Sequence, residues 1–175
     1  AVIAVAVVLR TTGREKPQPQ VLNTSTLEKI INVSELSTFT AVYNGIAEVA
    51  NEKKPDQIDY YVSYEATVNA GIDFQTVGVS MDEEQKIITL KVPEAHITNL
   101  AVDMSSLDFI FLNKKADKSG VTEAAYKACE EDVRRESEQQ TAICELAKQN
   151  AKNVLKALAQ PIVNQLGADY QLVIE

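Results

Sequence analysis

The chain has 175 residues, 45% hydrophobic and 24% charged, with 17 basic against 25 acidic side chains and a formal net charge of −8. These are ordinary globular proportions, which exclude wholesale disorder and leave length for one domain with appendages. The acidic balance, without a Lys/Arg cluster interleaved with aromatics, repels a phosphate backbone and excludes nucleic acid as a partner.

The chain opens AVIAVAVVL over residues 1–9, followed by Arg10, Arg14 and Lys16. A bilayer takes about 20 apolar residues, so this run cannot span one alone. It reads either as a buried strand or as the end of a longer transmembrane anchor. The Ala/Val composition and the basic flank favour the anchor, a single-pass attachment to a membrane. Residues 10–23 contain TTGREKPQPQ, the composition of a solvated linker. Residues 24–175 then form a single domain.

A short amphipathic helix is expected over residues 24–31, with Thr24 or Ser25 as its cap. In FTAVYNGIAEV, Phe39, Ala41, Tyr43, Ala47 and Val49 share one face of a strand. The run IDYYVSYEATVNA alternates more cleanly: Ile58, Tyr60, Val62, Tyr64, Ala66, Val68 and Ala70 point one way, and Asp59, Ser63, Glu65, Thr67 and Asn69 the other. That pattern predicts a long antiparallel strand with one wet face. Gly71 is expected to turn the chain at positive φ, with Asp73 bonding the backbone two residues on. A hairpin follows from VGVSM to IITLKV across the acidic loop over residues 82–86, and Pro93 ends its second strand. SLDFIFLN reads as a further strand, Thr122 as a helix N-cap, and the segment after Gly167 as a last strand joining the sheet.

Residues 122–166 hold no glycine and one proline, and consist mainly of the best helix formers. They predict one long helix of ~65 Å, broken or kinked near residues 157–160 by Pro161. Its C-terminal half carries an apolar stripe: Ile143, Leu146, Ala147, Ala151, Val154, Leu155, Leu158, Ile162 and Leu166. Its middle holds Val133 as the only large aliphatic between residues 130 and 141, and acid-before-base pairs such as Glu130–Arg134 and Glu131–Arg135. The second half should therefore pack on a core while the middle meets water or a polar partner. Ala125, Cys129, Val133, Glu136 and Gln140 form a lengthwise seam suited to self-association as a homo-oligomer. On a straight helix Cys129 and Cys144 stand ~22 Å apart, beyond disulfide reach. The fold class is thus α+β: a mainly antiparallel sheet packed against a long C-terminal helix, preceded by the end of a membrane anchor.

The order of these pieces carries a likeness. An N-terminal apolar segment and a strand pair lead to Ala70-Gly71-Ile72-Asp73. A hairpin ending Ile88-Thr89-Leu90-Lys91-Val92-Pro93 runs into Glu94-Ala95-His96-Ile97, and an alanine-rich helix and short terminal strand close the chain. This resembles the bacterial domain of unknown function 4230 family over about residues 25–175. The resemblance implies a single N-terminal membrane anchor with the soluble domain outside the cytoplasmic membrane. It implies no activity.

The motifs of common chemistries are missing. His96 is the only histidine, so there is no two-histidine metal site, and its place beside a strand end is that of a surface residue. Neither cysteine is placed at a helix N-terminus, where the dipole would activate it. Asp82-Glu83-Glu84 lacks the alternating oxygen ligands and glycine of a calcium loop. Nothing here calls for a catalytic residue, a cofactor or a metal, and the chain is read as not an enzyme. Two functional readings follow. One is a membrane-anchored interaction or assembly module. The other is an extracytoplasmic binding module for a small apolar ligand or lipid, held between the helix and a face lined by Tyr43, Tyr60 and Tyr64.

Overall fold

The computed structural model describes residues 24–31 and 36–175. The expected anchor over residues 1–9 and linker over 10–23 lie outside the described residues, as do the side chains of Thr24 and Ser25. In chain order the elements are α1 (Thr24–Ile31), β1 (Leu36–Asn51), β2 (Lys54–Ile72), β3 (Gly78–Asp82), β4 (Ile87–Lys91), β5 (His96–Val102), β6 (Asp108–Phe111), α2 (Val121–Gln139), α3 (Thr141–Leu166) and β7 (Gln171–Ile174). The protein is α+β, with an antiparallel sheet packed against its C-terminal helical segment.

Alternation sets the main sheet. β1 and β2 form a long antiparallel hairpin, and β2 carries both β5 and β6 on its other side. Tyr60, Val62, Tyr64, Ala66, Val68 and Ala70 are buried, and their β1 neighbours Phe39, Ala41, Tyr43, Ala47 and Val49 lie on the same face. Asp59 and Ser63 are half-buried because β6 pairs alongside them. Asp59 fastens the edge: its carboxylate accepts Asn113 Nδ2 at 2.8 Å and Asn51 Nδ2 at 3.1 Å, while its carbonyl accepts the amides of Leu112 and Asn113. These amide bonds, Asn113 first, hold the Asp59 carboxyl below the usual carboxylate range.

The sheet divides in two, which the sequence pattern does not announce. β3 and β4 form the expected hairpin, but they pair with β7 in a separate three-stranded sheet, with β7 parallel to β4. β4 ends at Lys91, two residues before Pro93, and Val92 still donates to the carbonyl of Glu175. β5, not expected as a strand, begins at His96, so that residue stands exposed at a strand start opposite Gly71.

The helical segment also differs from expectation. It is two helices, parted at Gln140, whose backbone leaves helical geometry at φ −92° and ψ 81°. Of the kink or break expected near residues 157–160, the break is not there: Pro161 lies inside a continuous α3. Pro161 and Ala157 are both exposed, so water can take the carbonyl that the missing proline N–H leaves open. The break at Gln140 follows instead from packing. α2 lies on the main sheet, whereas α3 passes from that core, at Ile143 and Ala147, to a second one at Ala151, Leu155, Ala159, Ile162 and Val163. The second core also takes Leu27 and Ile31 of α1, together with Ile72, Phe74, Ile88 and Leu90. Gly120, not Thr122, caps α2, at φ 89°, a conformation that suits glycine.

Candidate functional site

The residues expected to make a structural turn separate on inspection. Gly71 makes no turn and has no positive φ; it is a β2 residue paired with Ser37 and His96. A Cβ there would lie 2.0 Å from the Leu36 carbonyl oxygen. Glycine is required because the backbone of β1 approaches closely at its first register shift. The turn comes at Asp73, whose Oδ1 accepts the Gln75 amide at 2.9 Å and starts a short 3-10 turn over Phe74–Thr76. Pro93 is half-buried between β4 and β5.

The expected self-association seam is occupied by the chain itself. Ala125, Cys129 and Val133 are fully buried against the main sheet, Glu136 is half-buried and Gln140 is exposed at the helix break. A second helix cannot reach the first three. The charged middle of the segment misled because its apolar residues are few and small, while their i,i+4 spacing is that of a packed face. The same three residues close the space over the tyrosines. Tyr43 and Tyr64 rings lie 6.0 Å apart, Tyr60 packs on Phe109 and Phe111, and its hydroxyl donates to the Val121 carbonyl at 3.3 Å. The region proposed for an apolar ligand is therefore filled by α2. Of the expected apolar stripe, Leu155 is buried in the second core, whereas Leu146 and Leu158 are exposed.

Beneath this face sits a polar node that sequence inspection missed. Asp132 is buried, accepts the Tyr64 hydroxyl at 2.8 Å, and is paired with Arg135, which also reaches Glu136. Burial first, then the bond and charge of Asp132, push the Tyr64 hydroxyl far above its usual value. Burial and the same charge push the Cys129 thiol up to about 11, so it is an inert core thiol. The expected pairing of Glu131 with Arg135 gives way to Arg135–Asp132, because a buried carboxylate gains more from the guanidinium than an exposed one does. The break at Gln140 sets Cys144 in the first turn of α3, half-buried in an open cleft with Ser137, Glu94 and Lys148. This overturns its expected place inside a continuous helix. Among the described residues no group of His, Cys, Asp and Glu is placed to hold a metal, and no described helix is long and apolar enough to cross a membrane. Asp82 spends an oxygen on the Glu84 and Gln85 amides, making the acidic loop a capped turn.

The surface with no internal explanation is the outer face of the main sheet. Val42 and Ile46 are each 63% exposed, Ile110 is 59% and Leu112 61% exposed. Register places Glu48, Tyr61 and Ile110 in one row across three strands, and Ile46, Ser63 and Asp108 in the next. Ile110 and Ile46 thus stand at opposite ends of neighbouring rows, with half-buried Tyr61 between them and the acidic Glu48 and Asp108 at the other two ends. The signal was present in the sequence, since β1 carries large apolar residues on both faces, as strands covered on both faces do.

This geometry defines an α+β protein of two sheets and two cores joined by one helix, with an uncovered apolar sheet face. The chain belongs to the family described as Protein of unknown function (DUF4230), whose match covers residues 28–173. No curated protein and no solved structure matches it.

Proposed function

We propose that the protein is a membrane-tethered interaction and assembly module without catalytic activity, its folded domain held outside the cytoplasmic membrane. The observation that carries this reading is the outer sheet face, where Val42, Ile46, Ile110 and Leu112 are largely exposed on a hydrogen-bonded sheet. Four large aliphatics at such exposure on one face of an ordered sheet suit a contact made with another molecule. The apolar run over residues 1–9 and its basic flank support the tether. The extracytoplasmic side rests on the family likeness alone.

Fractionation of cells carrying the intact native protein tests the tether. The protein should sediment with membranes through high-salt and alkaline washes, and be cut by protease added outside the cytoplasmic membrane. Recovery in the soluble fraction would overturn the tether; protection from protease would overturn the side. Amine-directed cross-linking in the same membranes should give species above the monomer mass. Replacing both Ile110 and Leu112 by Ser should diminish them if the outer face is the contact.

A further inference from the structure

We propose that two copies of this chain join edge to edge through β1, antiparallel about a two-fold axis at Asn44, making one continuous sheet from two. The inference rests on the tethered-assembly reading above and names its partner: a second copy.

Among the described residues β1 pairs only with β2, and no strand lies along its other edge. An open edge is a template for another strand, and proteins ordinarily protect long ones with Lys, Pro, bulges or brevity. β5 and β6 are short. β1 is 16 residues long, and its stretch over residues 39–49 holds no Lys, Arg or Pro. Its bulges fall outside that stretch, between Ser37 and Phe39 at one end and from Val49 to Asn51 at the other. The first is tied down, since Thr38 Oγ1 donates to the Ala147 carbonyl and Asn150 Nδ2 donates to the carbonyl of Thr38. What remains is a regular open edge with Asn44 at its midpoint.

About that midpoint the side chains match themselves. On the outer face Val42 meets the second copy's Ile46, Thr40 its Glu48, and Asn44 its own equivalent. On the inner face Ala41 meets Ala47, Phe39 meets Val49, and Tyr43 meets Gly45. Gly45 has no side chain to oppose the partner ring, and a Cβ there would already meet the chain's own Tyr43 and Tyr64 rings, each at 2.6 Å. An isologous contact requires this reciprocity at every position, because each residue is seen from both sides. Pairing also brings the exposed Val42 and Ile46 together, where cross-strand aliphatic pairs stabilise a sheet.

The area favours a tethered pair. Residues 39–49 at ~3.4 Å each make an edge of roughly 35 Å, which on a sheet ~10 Å thick gives a footprint of roughly 350 Å² per partner. A freely diffusing stable dimer buries about 800 Å² per partner. The edge falls short of that in solution, and membrane attachment supplies the missing local concentration.

The test uses the intact chain in its native membrane, in a Cys144→Ser background with the buried Cys129 retained. Across an antiparallel pair the facing Cα atoms lie ~4.5–5.5 Å apart, within disulfide reach. Asn44→Cys should therefore give a disulfide-linked homodimer under mild oxidation, and Ile110→Cys on the same face should not. Adding Val42→Lys and Ile46→Lys, both at exposed positions, should abolish the dimer while leaving the melting temperature of the domain unchanged. A monomer at Asn44→Cys, equal linkage at Ile110→Cys, survival of the dimer with both lysines, or linkage to a chain of different mass overturns the proposal. If amine cross-linking still gives assemblies in the membrane fraction, only the β1 contact has failed. If the protein is not in that fraction, the tethered-assembly reading has failed with it.

Discussion

At the residue scale, the pair Tyr64 and Asp132 governs how the first core responds to substitution and to pH. Tyr64 and Cys129 keep their protons when folded, above the pH at which the unfolded chain releases them, ordinarily 10.0 and 9.0. Deprotonation thus favours the unfolded chain, so stability is full below about pH 9 and falls as pH rises above it. Tyr64→Phe should lower stability at pH 7 by about 2 kcal/mol, because a bond to a charged, buried acceptor is lost while Arg135 remains. Thermal melts from pH 7 to 11 should show a shallower alkaline decline in this variant; an unchanged slope would show that Tyr64 does not titrate as described. Gly71 gives a second test. Gly71→Ala drives a methyl into the Leu36 carbonyl and should cost about 3 kcal/mol, whereas Gly78→Ala, whose Cβ lies 3.4 Å from the Lys91 side chain, should change little. Comparable melting temperatures for the two would restore Gly71 to an ordinary position. Its role was not legible in the sequence, since a glycine for a turn and a glycine for a close backbone approach are written with the same letter.

At the scale of elements, strands declare themselves where one face is buried and the other is wet. The alternation from Ile58 to Ala70 fixes which face of β2 is covered, because a slip of one residue would move Tyr60, Val62 and Tyr64 into water. Val62→Asp should leave the domain unfolded, since an unpaired buried carboxylate costs several kcal/mol. Ser63→Lys, on the outer face beside Asp108, should be nearly silent in the same circular-dichroism melt. Equal effects would contradict the register. β5 escaped notice because only Val102 of it is buried and its pattern is broken by a register shift at Asn69/Ala70. The break at Gln140 escaped for a related reason. The residues around it, Glu138, Gln139 and Thr141, are exposed and polar, and nothing in such a run separates a continuing helix from a corner. Pro161, the stronger local signal, was outweighed by the apolar face on either side of it.

For the whole molecule, the chief feature is two cores sharing one helix. Local pattern cannot assign a strand to one sheet or the other, so the split of β3, β4 and β7 from the main sheet was invisible in the sequence even though each strand could be read. The outer-face patch was legible as residues but not as a surface, because strand order alone brings Ile46 and Ile110 into adjoining rows. Removing residues 171–175 strips β4 of its parallel neighbour and of the bonds that Val92 and Leu90 share with Glu175. Hydrogen exchange should then lose protection at Ile88 and Leu90 and keep it through Val62–Val68. Uniform loss across both regions would mean the two cores unfold as one unit. The parallel pairing of Ile87–Leu90 with Gln171–Ile174 has a further consequence during synthesis. The β1–β2 hairpin can form as soon as it leaves the ribosome, whereas β4 must wait, one edge open, until β7 has been added. Through that interval the nascent chain presents Ile88 and Leu90 without their final cover, and chaperones acting on this protein should therefore engage that hairpin.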